Sequence, residues 1–325
     1  MTTNKLIVAI PVYKKEYLDD LLASILVAYR STKHSGKLRI TFFPNGEHRL
    51  EILEKLWLFV GKLNKVENEV GFELDLRVNT TLYEYDPKEG CIGIMKQHIF
   101  DSLIHELNED DFCSIFDGDD IFSENAFNYY MQGIRMKQDV IHYGLNTFNG
   151  TEKIMFGENR IKIDTTYSAG FDNTTQDMFP SWIPASIYRK KIIEKIRLPE
   201  ISRSEDILFH IKIYRELDIQ PVFFREKRLG WVRKDTGSIT RGGDVSPEKY
   251  SVDRHIQIAI LYLGGNIKIL DFRDIANIED ILLSLQHYIS LRTVKGELPI
   301  LVLSQTVFNV CPLIPTHCYY FIDEQ

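Results

Sequence analysis

The chain has 325 residues, 44% hydrophobic, 26% charged and 12% aromatic, enough apolar material for one large core or two modest ones. That composition excludes a disordered chain, a collagen and a small disulfide scaffold. Its 39 Lys and Arg against 46 Asp and Glu leave a net charge of −7, so a general basic coat for nucleic acid is excluded while a local basic patch is allowed.

From the N-terminus the chain enters the continuous apolar run Leu6-Ile7-Val8-Ala9-Ile10, which reads as a strand buried on both faces and ends at Pro11. A single Lys precedes it and no cleavage-site pattern follows, so no secretory signal is expected. No apolar stretch approaches the roughly 18 residues of a membrane span. The expectation is a soluble cytoplasmic protein, of a bacterium or, if viral, of its host cell.

Tyr17, Leu21, Leu22, Ile25, Leu26 and Tyr29 fall at helical spacing, with Glu16, Asp19 and Asp20 at the favoured start. Leu38 to Phe43 reads as a second strand closed by Pro44-Asn45-Gly46, and Leu50, Leu53, Trp57, Val60 and Leu63 stripe a second helix. Phe72, Leu74, Leu76 and Val78 alternate as a third strand. Ile94, His98, Ile99, Leu103 and Leu107 then stripe a third helix, and Phe112 to Phe116 forms a fourth strand ending in Asp117-Gly118-Asp119-Asp120. Cys113 in that strand reads as a buried reduced thiol, and the other cysteines, Cys91, Cys311 and Cys318, form no C-x-x-C pair with it or each other.

Ser123 is placed to cap a helix through Met136, followed by a strand at Val140 to Gly144 and a Gly-, Asn- and Thr-rich stretch over 146–175. A strand at Ile183 to Tyr188, a helix from near Ser204 and a strand at Val222 to Val232 follow. Helical periods at Val252 to Leu263 and Ile278 to Leu291 then suggest an appendage. The expected organisation is an α/β domain over 1–245 and a smaller, mainly helical extension over 246–325. Strands alternating with helices imply a mostly parallel sheet with ligands beyond the carboxyl ends of its strands, where Pro11, Asn45, Asn79 and Asp117 fall.

Two acidic clusters carry the chemistry. A chain this long holds about one or two D-x-D strings by chance, but Asp117-Gly118-Asp119 is delivered to a sheet edge by an apolar strand. Carboxylates crowded there call for a cation, and hard oxygen ligands suit Mg²⁺ or Mn²⁺ bridging to phosphates; the plainer reading is an acidic turn capping the next helix. Glu205-Asp206 opens the helical run of Leu208, Ile211, Tyr214 and Leu217, where acids also compensate a helix dipole. Together, a metal-diphosphate site and a carboxylate base are the minimum apparatus for attack of a hydroxyl on an activated sugar.

The ordered set Ile7-Val8-Ala9-Ile10-Pro11-Val12-Tyr13, Asp117-Gly118-Asp119-Asp120, Ala185 to Lys190, Glu205-Asp206 and Trp231 to Ser238 resembles the GT-A glycosyltransferases of the family 2 type, across roughly residues 4 to 240. The resemblance implies a GT-A, Rossmann-like fold and transfer of a hexose or pentose, with inversion, from a nucleotide-sugar donor, usually a UDP-sugar. It implies a donor site at Pro11, Tyr13, Asn45, Asp117, Asp119 and Arg233. It implies Mn²⁺ or Mg²⁺ chiefly on Asp119, with Asp117 beside it, and Asp206 as the base with Glu205 orienting it.

Two departures stand out: Pro44-Asn45-Gly46 replaces the usual Asp-Asp pair that meets base or ribose, and Lys234-Asp235 replaces the late metal-binding His, so either Asp235 is a candidate ligand or Lys234 neutralises phosphate instead.

Residues 189 to 234 carry 13 Lys and Arg against 7 Asp and Glu. Such a segment favours a diphosphate leaving group or an anionic acceptor, against the alternative of ordinary solvated charge. The expected acceptor is a hydroxyl on a glycan or polymer; the alternatives are a viral enzyme acting on a hydroxymethylated base in DNA and an inactive binding protein on the same fold. A phosphohydrolase would carry its D-x-D on the first strand, and neither a P-loop nor a strand-linked G-x-G-x-x-G is present. His98 and His210 read as packing or surface residues, and Trp182, flanked by Pro180 and Pro184, is the likelier sugar platform than Trp231. The sequence leaves the oligomeric state open.

Overall fold

A computed structural model describes residues 4–63, 65–80, 92–136, 138–149, 154–163, 165–169, 183–198, 205–217, 219 and 221–234. The chain divides into two units, Met1–Arg241 and Gly242–Gln325, and every described residue belongs to the first. The expected boundary at 245, the extension over 246–325, Asp235 and Trp182 lie outside the described residues.

The elements run β1 (Lys5–Val12), α1 (Leu18–Arg30), β2 (Gly36–Pro44), α2 (Arg49–Leu63), β3 (Lys65–Glu67), β4 (Phe72–Val78), α3 (Ile92–Ile104), β5 (Phe112–Ile115) and β6 (Ile121–Phe122). They continue with α4 (Ala126–Ile134), β7 (Val140–Asn149), β8 (Met155–Phe156), β9 (Ile161–Lys162), β10 (Thr165–Ala169), β11 (Ser186–Arg189), α5 (Lys190–Lys195), α6 (Glu205–Leu217) and β12 (Val222–Lys234). Short 3₁₀ turns at Lys15–Tyr17 and Ile183–Ala185 precede α1 and β11.

Among the described residues, one ten-stranded sheet has the order β3-β4-β2-β1-β5-β11-β7-β12-β6, with β10 paired to β7. The β4-β2-β1-β5 core is parallel, as the strand-helix alternation requires, while β11 runs antiparallel between β5 and β7. The continuous apolar run of β1 has its reason in the layers. Leu6, Val8, Ile10 and Val12 pack on α1, α2 and α4, and Ile7 and Ala9 pack on α3, α5 and α6. Each such fully buried aliphatic side chain stabilises the fold by about 1.5–3 kcal/mol relative to exposure.

Chain order reverses at β1: β2 and β4 lie to one side and β5 to the other. The loops after β1 and β5 therefore open into one crevice, where ligands of open α/β sheets bind. Their approach is close. The Phe116 N–H donates to the Ala9 carbonyl at 2.9 Å, and a Cβ on Gly118 would lie 2.2 Å from the Pro11 carbonyl oxygen, so a residue without a side chain is required there.

Ser123 does not cap α4. Its N–H donates to Leu229 and its hydroxyl to the Arg228 carbonyl, because β6 pairs with β12 and turns Ser123 toward that strand. The irregular stretch expected from residue 146 is also more ordered than its composition suggests. β7 continues to Asn149 because β12 and β10 flank it on either side and take up its backbone hydrogen bonds.

Candidate active site

The loop after β5 is held from several directions. Asp120 is buried and accepts the Arg233 backbone N–H at 2.9 Å; burial first, then Asp119 and Asp117, push its carboxyl well above the carboxylate range. The Arg233 guanidinium donates to the Asp119 carbonyl at 3.1 Å and to Asp20 on α1 at 2.8 Å, and lies over the rings of Tyr17 and Phe148. Arg233 thus stands in the crevice wall with its charge already matched.

Asp119 turns its carboxylate toward the loop after β1, where the Tyr13 hydroxyl donates to Oδ2 at 3.4 Å and Lys14 Nζ lies 3.2 Å from the same oxygen. Asp117 is partly buried, with its carboxyl pushed up to about 6, chiefly by burial and further by Asp119 and Asp206, against the opposing charge of Lys96. Pro11 lies next to last in β1, beside Phe43, and the buried Asn45 donates its backbone N–H to the Val12 carbonyl at 2.7 Å while its side-chain oxygen accepts the Gly46 N–H at 2.9 Å. The tertiary fold thus brings Pro11, Tyr13, Asn45, Asp117, Asp119 and Arg233 to the β1/β2/β5 end of the sheet.

The second acidic cluster opens α6. Lys96, buried on α3, donates to Glu205 Oε1 at 2.7 Å and to Asp206 Oδ1 at 3.4 Å, and the Ile183 N–H donates to Asp206 Oδ2 at 3.0 Å. Burial pushes both carboxyls up, but with opposite outcomes. For Asp206, Lys96, Glu205 and the Ile183 N–H outweigh burial and hold the carboxyl at about 2; Glu205, repelled by Asp206, is raised well above its ordinary range. The two carboxyls titrate as a pair around the Lys96 ammonium, with Asp206 held low and Glu205 raised. Lys96 also feels Asp117, so one buried ammonium serves both acidic clusters.

Lys96 is the site residue that sequence reasoning missed. Its signal was its phase on α3: it follows Ile92 by four residues and precedes Ile99 and Phe100 by three and four, a cation on an inner apolar face. His98, placed on the buried stripe by periodicity, is exposed instead, while Lys96 and Gln97 point inward. Gln97 repays its burial by accepting the Leu198 N–H at 2.7 Å. His210, one turn beyond Asp206, is buried and meets the Tyr188 hydroxyl at 2.6 Å. Trp231 packs with Val27, Ile121, Phe148 and Ile161, away from the role of a sugar platform.

Four cations at the start of 189–234 are paired with neighbouring acids. Arg189 pairs with Asp110 and Asp139, Lys190 with Glu109 and Glu194, Lys191 with Asp139, and Arg197 with Asp101. β11 runs antiparallel to β5 and sets Arg189 opposite Phe112, at the far end of that strand from Asp117.

Carboxylates at Asp117 and Asp119, one of them already turned to a cation, have the donor chemistry for Mg²⁺ or Mn²⁺. Among the described residues, no three His, Cys, Asp or Glu side chains converge on one point. Such an ion would take its remaining ligands from phosphate oxygens and water, as Mg²⁺ does in nucleotide sites. No helix among the described residues is long and apolar enough to cross a membrane.

No family model matches the chain, and no curated protein does. Among solved structures it is similar to S. aureus TarS residues 1–349, at 18% identity over 89% of this chain and 73% of that one, with a TM-score of 0.46. It is similar to the mannosyltransferase PcManGT of Pyrobaculum calidifontis in complex with GDP-Man and Mn²⁺, at 9% identity over 95% and 79% of the two chains, TM-score 0.44. It is also similar to Mycobacterium tuberculosis glucosyl-3-phosphoglycerate synthase in complex with UDP, at 9% identity over 82% of each chain, TM-score 0.44.

Proposed function

We propose that the chain is an inverting, metal-dependent glycosyltransferase of GT-A type, moving a sugar from a nucleoside diphosphate donor to an acceptor hydroxyl. One observation carries the reading: the strand-order reversal at β1 brings an acidic loop made for a metal-diphosphate, at Asp117 and Asp119, within electrostatic reach of an ionised buried carboxylate, Asp206. Pro11, Tyr13 and Asn45 line the nucleotide side, and a uridine diphosphate sugar is the first donor to test. A divalent cation on Asp119 and Asp117 would stabilise charge on the leaving diphosphate.

Asp206 is the base. Its Oδ2 is fixed by the Ile183 N–H and its Oδ1 faces Lys96, so the carboxylate is oriented before any acceptor arrives. An alcohol is far less acidic than this carboxylic acid, so proton transfer becomes favourable only as the hydroxyl oxygen bonds to the anomeric carbon and its O–H acidifies. Glu205, bonded to the same Lys96 ammonium at 2.7 Å, helps to orient Asp206. The acceptor proposed is a hydroxyl on a glycan or polymer; the pairing of Arg189, Lys190, Lys191 and Arg197 with neighbouring acids makes DNA the second choice.

The test begins with thermal melting against a panel of nucleotide sugars, each with Mn²⁺ or with chelator, followed by transfer assays on the donor that shifts the melt. Asp206→Asn is expected to lower transfer by about 10³-fold or more while leaving donor affinity within about threefold. Retention of more than a tenth of native turnover would remove Asp206 as the base. A melt unmoved by every donor would remove the nucleotide-sugar reading.

A further inference from the structure

Asp119, read above as the chief metal ligand, already holds a cation. Lys14 Nζ lies 3.2 Å from its Oδ2, with the two side chains 15% and 18% exposed, a pair shielded on most sides but within reach of solvent. The same ammonium lies 5.7 Å from the Tyr13 ring centroid and 5.3 Å from that of Tyr17, both of which favour a cation there. Arg233 holds the other half of the residue, the Asp119 backbone carbonyl, and is anchored to Asp20. The loop is therefore kept in place by Arg233, while its ligating oxygen is held by Lys14.

A divalent ion approaching Asp119 Oδ2 would meet an ammonium at ion-pair distance, and two cations on one carboxylate repel strongly in a partly buried site. Lysine is a compact charge on a flexible stem, so it can leave the carboxylate without disturbing the backbone. A diphosphate entering the crevice brings negative charge that can receive it. We propose that Lys14 occupies the metal position on Asp119 in the donor-free protein and yields it when a nucleoside diphosphate arrives, so that metal and diphosphate bind cooperatively. This rests on the reading of Asp119 as a metal ligand and adds the order in which its site fills.

The experiment is a Mn²⁺ titration of the full chain followed by electron paramagnetic resonance, without nucleotide and then with UDP, GDP, ADP, CDP and dTDP in turn. At least one nucleotide is expected to tighten Mn²⁺ binding to the native chain about tenfold or more beyond the nucleotide's own complexation. Lys14→Met is expected to bind Mn²⁺ without nucleotide about fivefold or more tightly than native, and to lose most of the enhancement. Lys14→Arg, which keeps the cation, is expected to behave as native, and ligand-free melting of each variant checks that it is folded. Native Mn²⁺ affinity in Lys14→Met, with binding abolished in Asp119→Asn, would overturn the inference alone and leave the metal reading intact. So would the absence of enhancement by every nucleotide. No Mn²⁺ binding to native and Lys14→Met alike, with or without nucleotide, would overturn both.

Discussion

Asp117, two residues beyond β5, has its carboxyl at about 6 against an ordinary 3.8, raised first by burial and then by Asp119 and Asp206, with Lys96 opposing. A raised acid is one whose ionised form the fold disfavours. The cost is absent below about pH 4, where the unfolded chain is also protonated, grows as pH rises, and is complete above about pH 6. Asp117→Asn is therefore expected to unfold at higher denaturant by about 1–2 kcal/mol at pH 7.5, with the gain gone by about pH 4, while donor binding weakens. Urea melts at the two pH values check it, and a gain independent of pH would refute it. Asp117, Asp119, Glu205 and Asp206 stand out in the sequence because they close an apolar strand and open an apolar helix, positions where capping and dipole compensation are the plainer readings of each cluster taken alone. Lys14 does not, since one lysine in a polar loop carries no pattern until the Asp119 carboxylate, distant in sequence, is set beside it.

At the scale of elements, α3 and α6 are joined through one buried ammonium, the bonds from Lys96 to Glu205 and Asp206. Breaking such a pair from one side leaves uncompensated charge in the interior, so Lys96→Met is expected to cost about 3–5 kcal/mol in urea unfolding. The double variant Lys96→Met with Asp206→Asn removes the orphaned carboxylate and is expected to recover part of that loss. A single variant within about 1 kcal/mol of native would show that the ammonium is not what joins the helices. The phase of α3 was misread for the same reason. Periodicity assumes that the inner face is apolar, and here Lys96 and Gln97 sit inside because partners on other elements satisfy them.

For the whole molecule, the net charge of −7 and the pairing of Arg189, Lys190, Lys191 and Arg197 with acids weigh against a general hold on a polyanion. Binding to duplex DNA at about 0.15 M salt is expected to be weaker than about 10⁻⁴ M by fluorescence anisotropy. Micromolar binding that falls steeply with added salt would reverse that expectation and reopen a DNA acceptor. Within the basic excess of 189–234, Arg189, Lys190, Lys191 and Arg197 are matched by neighbouring acids. β11 sets Arg189 at the end of β5 far from Asp117, a placement that a count along the chain does not give.

The sequence by itself determined the layered α/β architecture and the two acidic clusters, since both follow from local pattern: runs of apolar residues with period, and acids at the ends of those runs. Only the tertiary structure decided that the loops after β1 and β5 share one crevice, that one lysine steadies the Asp206 carboxylate and another holds Asp119, and that Arg233 is anchored to Asp20. These are meetings of groups far apart in the chain. Their free energy depends on distance and desolvation, which no local pattern encodes.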